Sequence, residues 1–317
     1  MPISSDKLSG LSIAPLTLRL EALGPFRGPD FKGALFRGGF GQFFRDLVCV
    51  TRAPVCTNCP EARACAYSTV FETPVLPEQF SVLRKYPNAP HPFVLTPPLD
   101  ARTTLSGGTT LELGLTLIGR GVEQLPHFIA VFEAMGRSGR YGGPFCLRNV
   151  IAEGQSERVV YDGARRRLLG APSLWRPRET GGAVRRLEVE FVTPLRMRTD
   201  GRYNSRPGFV ALTHSLLRRV HLLSAIYGDG IGDPGWMHSL LRQADHVMTE
   251  RAHFRPYEWD RMSGRQHRRV QMDGVLGGLT AVGELTELAP YFEAGLWLQV
   301  GSGTSMGMGK YVARFEA

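Results

Sequence analysis

The chain has 317 residues, a formal net charge of +9 and 43% hydrophobic content, which suits one large or two ordinary globular domains and excludes a disordered or collagen-like chain. No run of eighteen apolar residues occurs, so no membrane span is expected. The first residues lack the basic head and apolar core of a secretory signal, so a cytoplasmic location is the expectation. The positive charge favours polyanionic partners. It is carried mostly by arginine, the only lysines being Lys7, Lys32, Lys85 and Lys310. Two stretches concentrate it: eight arginines from Arg158 to Arg186 against Asp162 and Glu179, and five from Phe254 to Val270 against Glu258 and Asp260.

Taken in chain order, Ile13 to Leu23 alternates as a half-buried strand does. Phe31 to Val48 reads as a helix weakened at its start by Gly38, Gly39 and Gly41. Next come Cys49, Cys56, Cys59 and Cys65, four thiols within seventeen residues. Clustering of this kind in a reducing compartment points to metal or redox chemistry rather than to a disulfide framework. Four sulfurs suit a closed structural Zn²⁺ site, with an iron–sulfur cluster as the alternative and ordinary buried thiols as the plain reading. Cys146 stands apart as a core residue. Thr110 to Ile118 alternates as a strand, Val122 to Met135 is amphipathic with Pro126 in its first turn, and Phe145 to Ile151 suits another strand. Ala152 to Gly182 is Arg- and Gly-rich and reads as linker or insertion.

The second half is clearer. Leu187, Val189 and Phe191 mark a strand, Phe209 to Tyr227 a helix with Leu212, Leu216, Val220, Leu223 and Ile226 on one face, and Gly235 to Met248 a second helix. Arg268–Met272 and Val275–Val282 read as two strands around an Asp273-Gly274 turn. Leu285 to Ala294 suits a helix stopped by Gly295. Leu296–Val300 and Tyr311–Phe315 read as strands flanking a glycine-rich loop. The order is that of a split βαβ unit, with a fainter copy in the first half. The expected fold is therefore α+β: two tandem ferredoxin-like (RRM-like, RAMP) domains at 1–155 and 185–317. Residues 156–184 lie between them, and the Cys-rich insertion (49–67) follows the first helix.

The segment from Gly301 to Lys310 carries glycines at 301, 303, 307 and 309. Successive backbone N–H groups in such a loop form an anion nest, and Lys310 adds a cation. Its spacing is not that of a Walker loop. Upstream stand Arg261, Ser263, Arg265 and Gln266, then Gly277 and Gly278. Together with Phe36-Arg-Gly-Gly-Phe-Gly-Gln-Phe-Phe-Arg45, with Cys56, Cys59, Cys65 and Tyr67, with Phe71-Glu72-Thr73-Pro74, and with Pro92 to Pro98, this order resembles the CRISPR-associated RAMP endoribonucleases that cut repeat RNA. The resemblance runs over most of the chain and is weakest from 152 to 185.

That resemblance implies metal-independent cleavage in which the 2′-hydroxyl attacks the adjacent phosphate, giving a 2′,3′-cyclic phosphate and retained crRNA. It implies partnership with repeat RNA and with other CRISPR effector subunits, and no cofactor for catalysis. Arg261, Arg265, Arg268, Arg269, Gly301, Ser302, Gly303, Thr304, Gly307, Gly309 and Lys310 would hold RNA. The chain departs from the family where many relatives have histidine, here Gln42 and Gln299, and where they have lysine, here Ser302. Glutamine is no general base near neutral pH. Arg37, Arg45 and His267 are the candidate catalytic residues. The alternatives are a crRNA-binding subunit that does not cut, and a metal-stabilised scaffold with no RNA partner.

Overall fold

The computed structural model describes residues 6–56, 58–75, 79–83, 88–154, 157–177, 182–199, 201–230, 233–263 and 268–317. The chain divides into two compact units, one formed by Ser12–Trp175 and one by Met1–Leu11 with Arg176–Ala317.

In the first unit the strands are β1 (Ile13–Ala22), β2 (Phe93–Thr96), β3 (Thr110–Ile118) and β4 (Phe145–Ala152), with helix α1 (Gly33–Val48) after β1 and α3 (Leu125–Ser138) after β3. A short helix α2 (Ala66–Phe71) and the cysteine segment lie between α1 and β2. The sheet is antiparallel in the order β2-β3-β1-β4, continued by β5 (Arg158–Asp162) and β6 (Arg167–Leu168). Part of the stretch expected as linker or insertion thus widens this sheet. Apolar residues alternate along β1 and β3 because one face is covered, and Leu16, Leu18, Leu113 and Leu115 are buried under the helices. The core beneath α1 is aromatic. The ring of Phe40 lies 4.5 Å from that of Phe128 and 5.4 Å from that of Phe93.

The second unit repeats the arrangement with β7 (Arg186–Leu195), α4 (Phe209–Tyr227), α5 (Gly235–Ala244), β8 (Met248–Ser263), β9 (Arg268–Val282), α6 (Ala289–Leu298) and β10 (Tyr311–Glu316). Its sheet order is β8-β9-β7-β10, all antiparallel. Each unit thus has the βαββαβ order and strand arrangement of a ferredoxin-like fold, as expected.

Three local expectations need correction. Asp273-Gly274 is no turn: β9 runs through it, Gly274 pairs with Tyr257, and Asp273 accepts a 2.7 Å bond from Arg196 Nε. The glycine is there for closeness, since a Cβ on it would lie 3.5 Å from the Trp259 ring and 3.1 Å from the Leu195 carbonyl. Met248 begins a long strand rather than ending a helix. Leu296–Leu298 is the last turn of α6, not a strand, because Gly295 sits inside that helix, where a Cβ would fall 2.0 Å from the Tyr311 hydroxyl. That hydroxyl donates to the Phe292 carbonyl at 2.7 Å, locking α6 onto β10.

Candidate RNA interface

The longest pair in the second unit is β8 with β9, in register from Met248↔Val282 to Ser263↔Arg268. Strand β7 pairs with β9 only from Val275 to Val282, so the rest of the pair extends past it as a two-stranded ribbon. Along β8, Arg251, His253, Arg255, Tyr257 and Trp259 fall on one face by the two-residue period. That face is the open one, since His253 meets Glu190 across Gly278 while Leu279 and Val189, one register row away, are buried in the core. The Tyr257 and Trp259 rings stand 5.5 Å apart. Arg251 and Arg255 are exposed, and among the described residues no carboxylate pairs with either. Arginine forks beside half-buried aromatic rings are the equipment for gripping phosphates and stacking bases.

The carboxylates of the same face are engaged. Arg186 bonds Glu250 at 2.6 Å, Glu188 at 3.4 Å and Glu316 at 3.7 Å, and His253 Nε2 lies 3.0 Å from Glu190 Oε2. Gly277 and Gly278 make this close pleat. Gly277 has φ +124°, and a Cβ on it would lie 1.8 Å from the His253 carbonyl, at a register shift between Val275 and Gly277. Arg261, Arg268 and Arg269 belong to the paired ends of β8 and β9, whereas Arg265 and His267 lie outside the described residues.

The glycine-rich loop joins α6 to β10. Gly301, Gly303, Gly307 and Gly309 all have positive φ, between +75° and +87°. Many of its N–H groups are spent inside the protein: Ser302 donates to Arg196 O, Gly309 to Pro194 O, Met306 and Met308 to Gly303 O, Gly307 to Thr304 O. Among the described residues, the N–H groups of Gly301, Gly303, Thr304 and Ser305 have no backbone acceptor, and Gly303 in the left-handed region leads into the turn Thr304–Met306. That leaves a narrower nest than the sequence suggested. Lys310 turns inward: its Nζ donates to Leu296 O at 2.5 Å and lies 5.0 Å from the Trp297 ring centroid. Arg219 Nε also donates to Leu298 O at 2.8 Å, and burial pulls its pKa down to about 10. Both cations cap the carbonyl end of α6, where the helix dipole favours positive charge. Gln299 is fully buried with φ +58°.

The arginines on α1 are also occupied. Arg37 lies 4.6 Å over the Phe71 ring and 5.6 Å from that of Phe93, with its NH2 3.2 Å from His91 Nε2. His91 in turn stacks on Phe93 at 5.5 Å. No local pattern reports this contact, because the pair is 54 residues apart. Arg45 donates to the carbonyls of Ala53 and Pro54 and lies 5.7 Å over Tyr67, so it fastens the cysteine segment. Gln42 is exposed and donates to Asp46 at 3.0 and 3.1 Å.

Cys49, Cys56, Cys59 and Cys65 line one cavity of about 720 Å³ together with His127. The Cys59 N–H donates to Cys56 O at 3.0 Å, forming the tight turn expected of C-x2-C. Burial, then Glu72, pushes the Cys56 thiol up. The donor chemistry suits a soft cation, and His127 Nδ1 is buried there with no hydrogen-bond partner among the described residues. As the side chains stand, however, no group of three described His, Cys, Asp or Glu residues is arranged to hold an ion. No described helix is long and apolar enough to cross a membrane.

Residues 11–173 match the AF_1859 N-terminal domain family, and residues 189–311 match the family of the CRISPR-associated endoribonuclease Cas6. An uncharacterized protein of Archaeoglobus fulgidus is 28% identical over 206 residues, 64% of this chain and 66% of that protein, just under two thirds of its length. Among solved structures, a Thermus thermophilus Cas6 product complex superposes with a TM-score of 0.55 at 18% identity, covering 95% of this chain and 100% of that one. A partial Cas6-RT-Cas1–Cas2 complex gives 0.54 at 11%, covering 96% of this chain and 46% of that one. These structural likenesses establish the fold.

Proposed function

From the premise that the chain belongs to the Cas6-like RAMP family of CRISPR-associated proteins, we propose that it binds the stem-loop of precursor CRISPR RNA and cuts it without metal. The 2′-hydroxyl is the nucleophile, the products are a 2′,3′-cyclic phosphate and a 5′-hydroxyl, and the cut RNA stays bound for delivery to other CRISPR proteins. The observation that carries this reading is the open face of β8, where Arg251, His253, Arg255, Tyr257 and Trp259 alternate on a strand that outruns its sheet. A basic and aromatic ribbon offers phosphates cations and unstacked bases a surface. The N–H groups of Gly303, Thr304 and Ser305 supply a further anion seat.

A second reading, a subunit that holds crRNA without cutting it, is favoured by the engagement of Arg37 and Arg45 in aromatic and carbonyl contacts. The experiment that separates the two incubates the protein with repeat RNA from its own genomic neighbourhood in excess EDTA and maps the product ends. One cut at the stem base with a cyclic phosphate is expected. Salt-sensitive binding without a cut establishes the holding subunit, and neither binding nor cutting rejects both readings.

We further propose that the cysteine cavity takes a structural zinc ion, the thiols drawing together as it binds. Purified protein should contain about one zinc per chain, and Cys56→Ser should lose it with a lower unfolding temperature. Metal-free protein that gains no stability from added zinc returns these cysteines to ordinary packing.

A further inference from the structure

His253 and Glu190 stand on different strands of the same sheet, β8 and β7, with β9 between them. Their side chains meet only because the residue in the middle of the row is Gly278. The register sets His253 opposite Gly278 and Gly278 opposite Glu190. A Cβ on Gly278 would lie 2.3 Å from Glu190 Oε2. The pair bridges this gap at 3.0 Å, Nε2 to Oε2, with the two side chains 48% and 51% exposed. A carboxylate at Nε2 fixes the proton on that nitrogen and leaves Nδ1 as a free lone pair.

We propose that His253, held by Glu190, is the general base for RNA cleavage in this protein, a role that rests on the processing function argued above. Nδ1 of neutral His253 takes the proton of the 2′-hydroxyl, the O2′–P bond forms, and the P–O5′ bond breaks. The departing O5′ takes a proton from water, and the imidazolium returns its proton to solvent, so no redox partner is required. Arg251 and Arg255, two residues to either side on the same face, meet the non-bridging oxygens as negative charge builds on the phosphorane. Tyr257 and Trp259 continue that face and take the neighbouring bases. Glu190 touches no reacting atom; it is a positioning residue.

The charged groups facing His253 are Arg251 and Arg255 on its own strand and Glu188 and Glu190 on β7, with Arg314 of β10 beyond, 3.8 Å from Glu188. Strand β9 contributes only Gly278 and Thr280 to this row and its neighbour.

The test is single-turnover cleavage of repeat RNA in EDTA by wild type, His253→Ala, Glu190→Gln and Glu190→Asp. His253→Ala should cut about 10²- to 10⁴-fold more slowly, as expected for loss of a general base, with RNA affinity within about threefold and a flattened pH profile. Added imidazole should restore part of the rate. Glu190→Gln should slow cleavage by about tenfold, and Glu190→Asp should recover most of it. A His253→Ala protein that cuts within twofold of wild type with the same pH profile overturns the assignment and leaves the processing function standing. Wild-type protein that binds repeat RNA but never cuts it overturns both the assignment and the cutting function.

Discussion

Gly309→Ala should unfold the second unit well below the melting temperature of the wild type. The residue has φ +75°, and a Cβ there would lie 1.8 Å from the Val300 carbonyl oxygen and 2.9 Å from its carbon. These are backbone atoms, so no side chain can swing aside. The same residue also donates to Pro194 O at 2.9 Å and accepts from Val300 N at 3.2 Å, tying the loop to β7 and to the end of α6. Left-handed strain costs about 1–3 kcal/mol. Displacing two buried hydrogen bonds adds a similar amount, for a total of roughly 3–5 kcal/mol. In a domain of this size that is a fall of about 10 °C or more. Differential scanning calorimetry should show the loss in one of two transitions. Gly38→Ala is the matched control: that glycine lies on an exposed helical position with nothing within 4 Å of a Cβ, so alanine there should leave the melt unchanged or slightly higher. If Gly309→Ala melted like the control, the loop would have another conformation.

The double substitution Tyr257→Ala, Trp259→Ala should have the largest effect on RNA affinity. Stacking of a base on an aromatic side chain is worth about 1–3 kcal/mol. Two such contacts amount to at least about 2 kcal/mol, or thirtyfold or more in Kd. Because rings carry no charge, the salt dependence of binding should keep its slope. Arg251→Ala with Arg255→Ala should instead flatten that slope by nearly two phosphate contacts. Fluorescence anisotropy with labelled repeat RNA over a salt series separates the two outcomes. Unaltered affinity in the aromatic variant would assign these rings to covering Gly274 and Met272 only.

Much of the architecture was legible because two periods dominate it. Thr110–Ile118 and Phe209–Tyr227 have the bounds that alternation and helical spacing dictate. Strand β8 escaped notice because it is an outer strand: its open face carries Arg251, His253 and Arg255, its inner face offers only Ala252 and Phe254, and Pro256 interrupts it. Gly274 and Gly295 misled for a shared reason. A glycine that reverses or stops an element and a glycine that lets another group approach look alike in sequence, and here both serve approach, to Trp259 and to Tyr311. The open-face row was hidden for the same cause, since its members come from β7, β8 and β9. Grouping Met1–Leu11 with the second unit depends on long-range packing, which no local pattern reports.

Helix α1 holds four glycines among sixteen residues, two of which, Gly39 and Gly41, leave room for the Met135 and Tyr141 side chains and for Arg37. At about 1 kcal/mol apiece against alanine, such a segment has no tendency to coil up on its own in water. It takes shape only on the surface that β1, β3 and α3 have already built, so it belongs late in folding and opens early in the native ensemble. Amide protons of α1 should then exchange through openings smaller than global unfolding, while those of β3 wait for the whole unit.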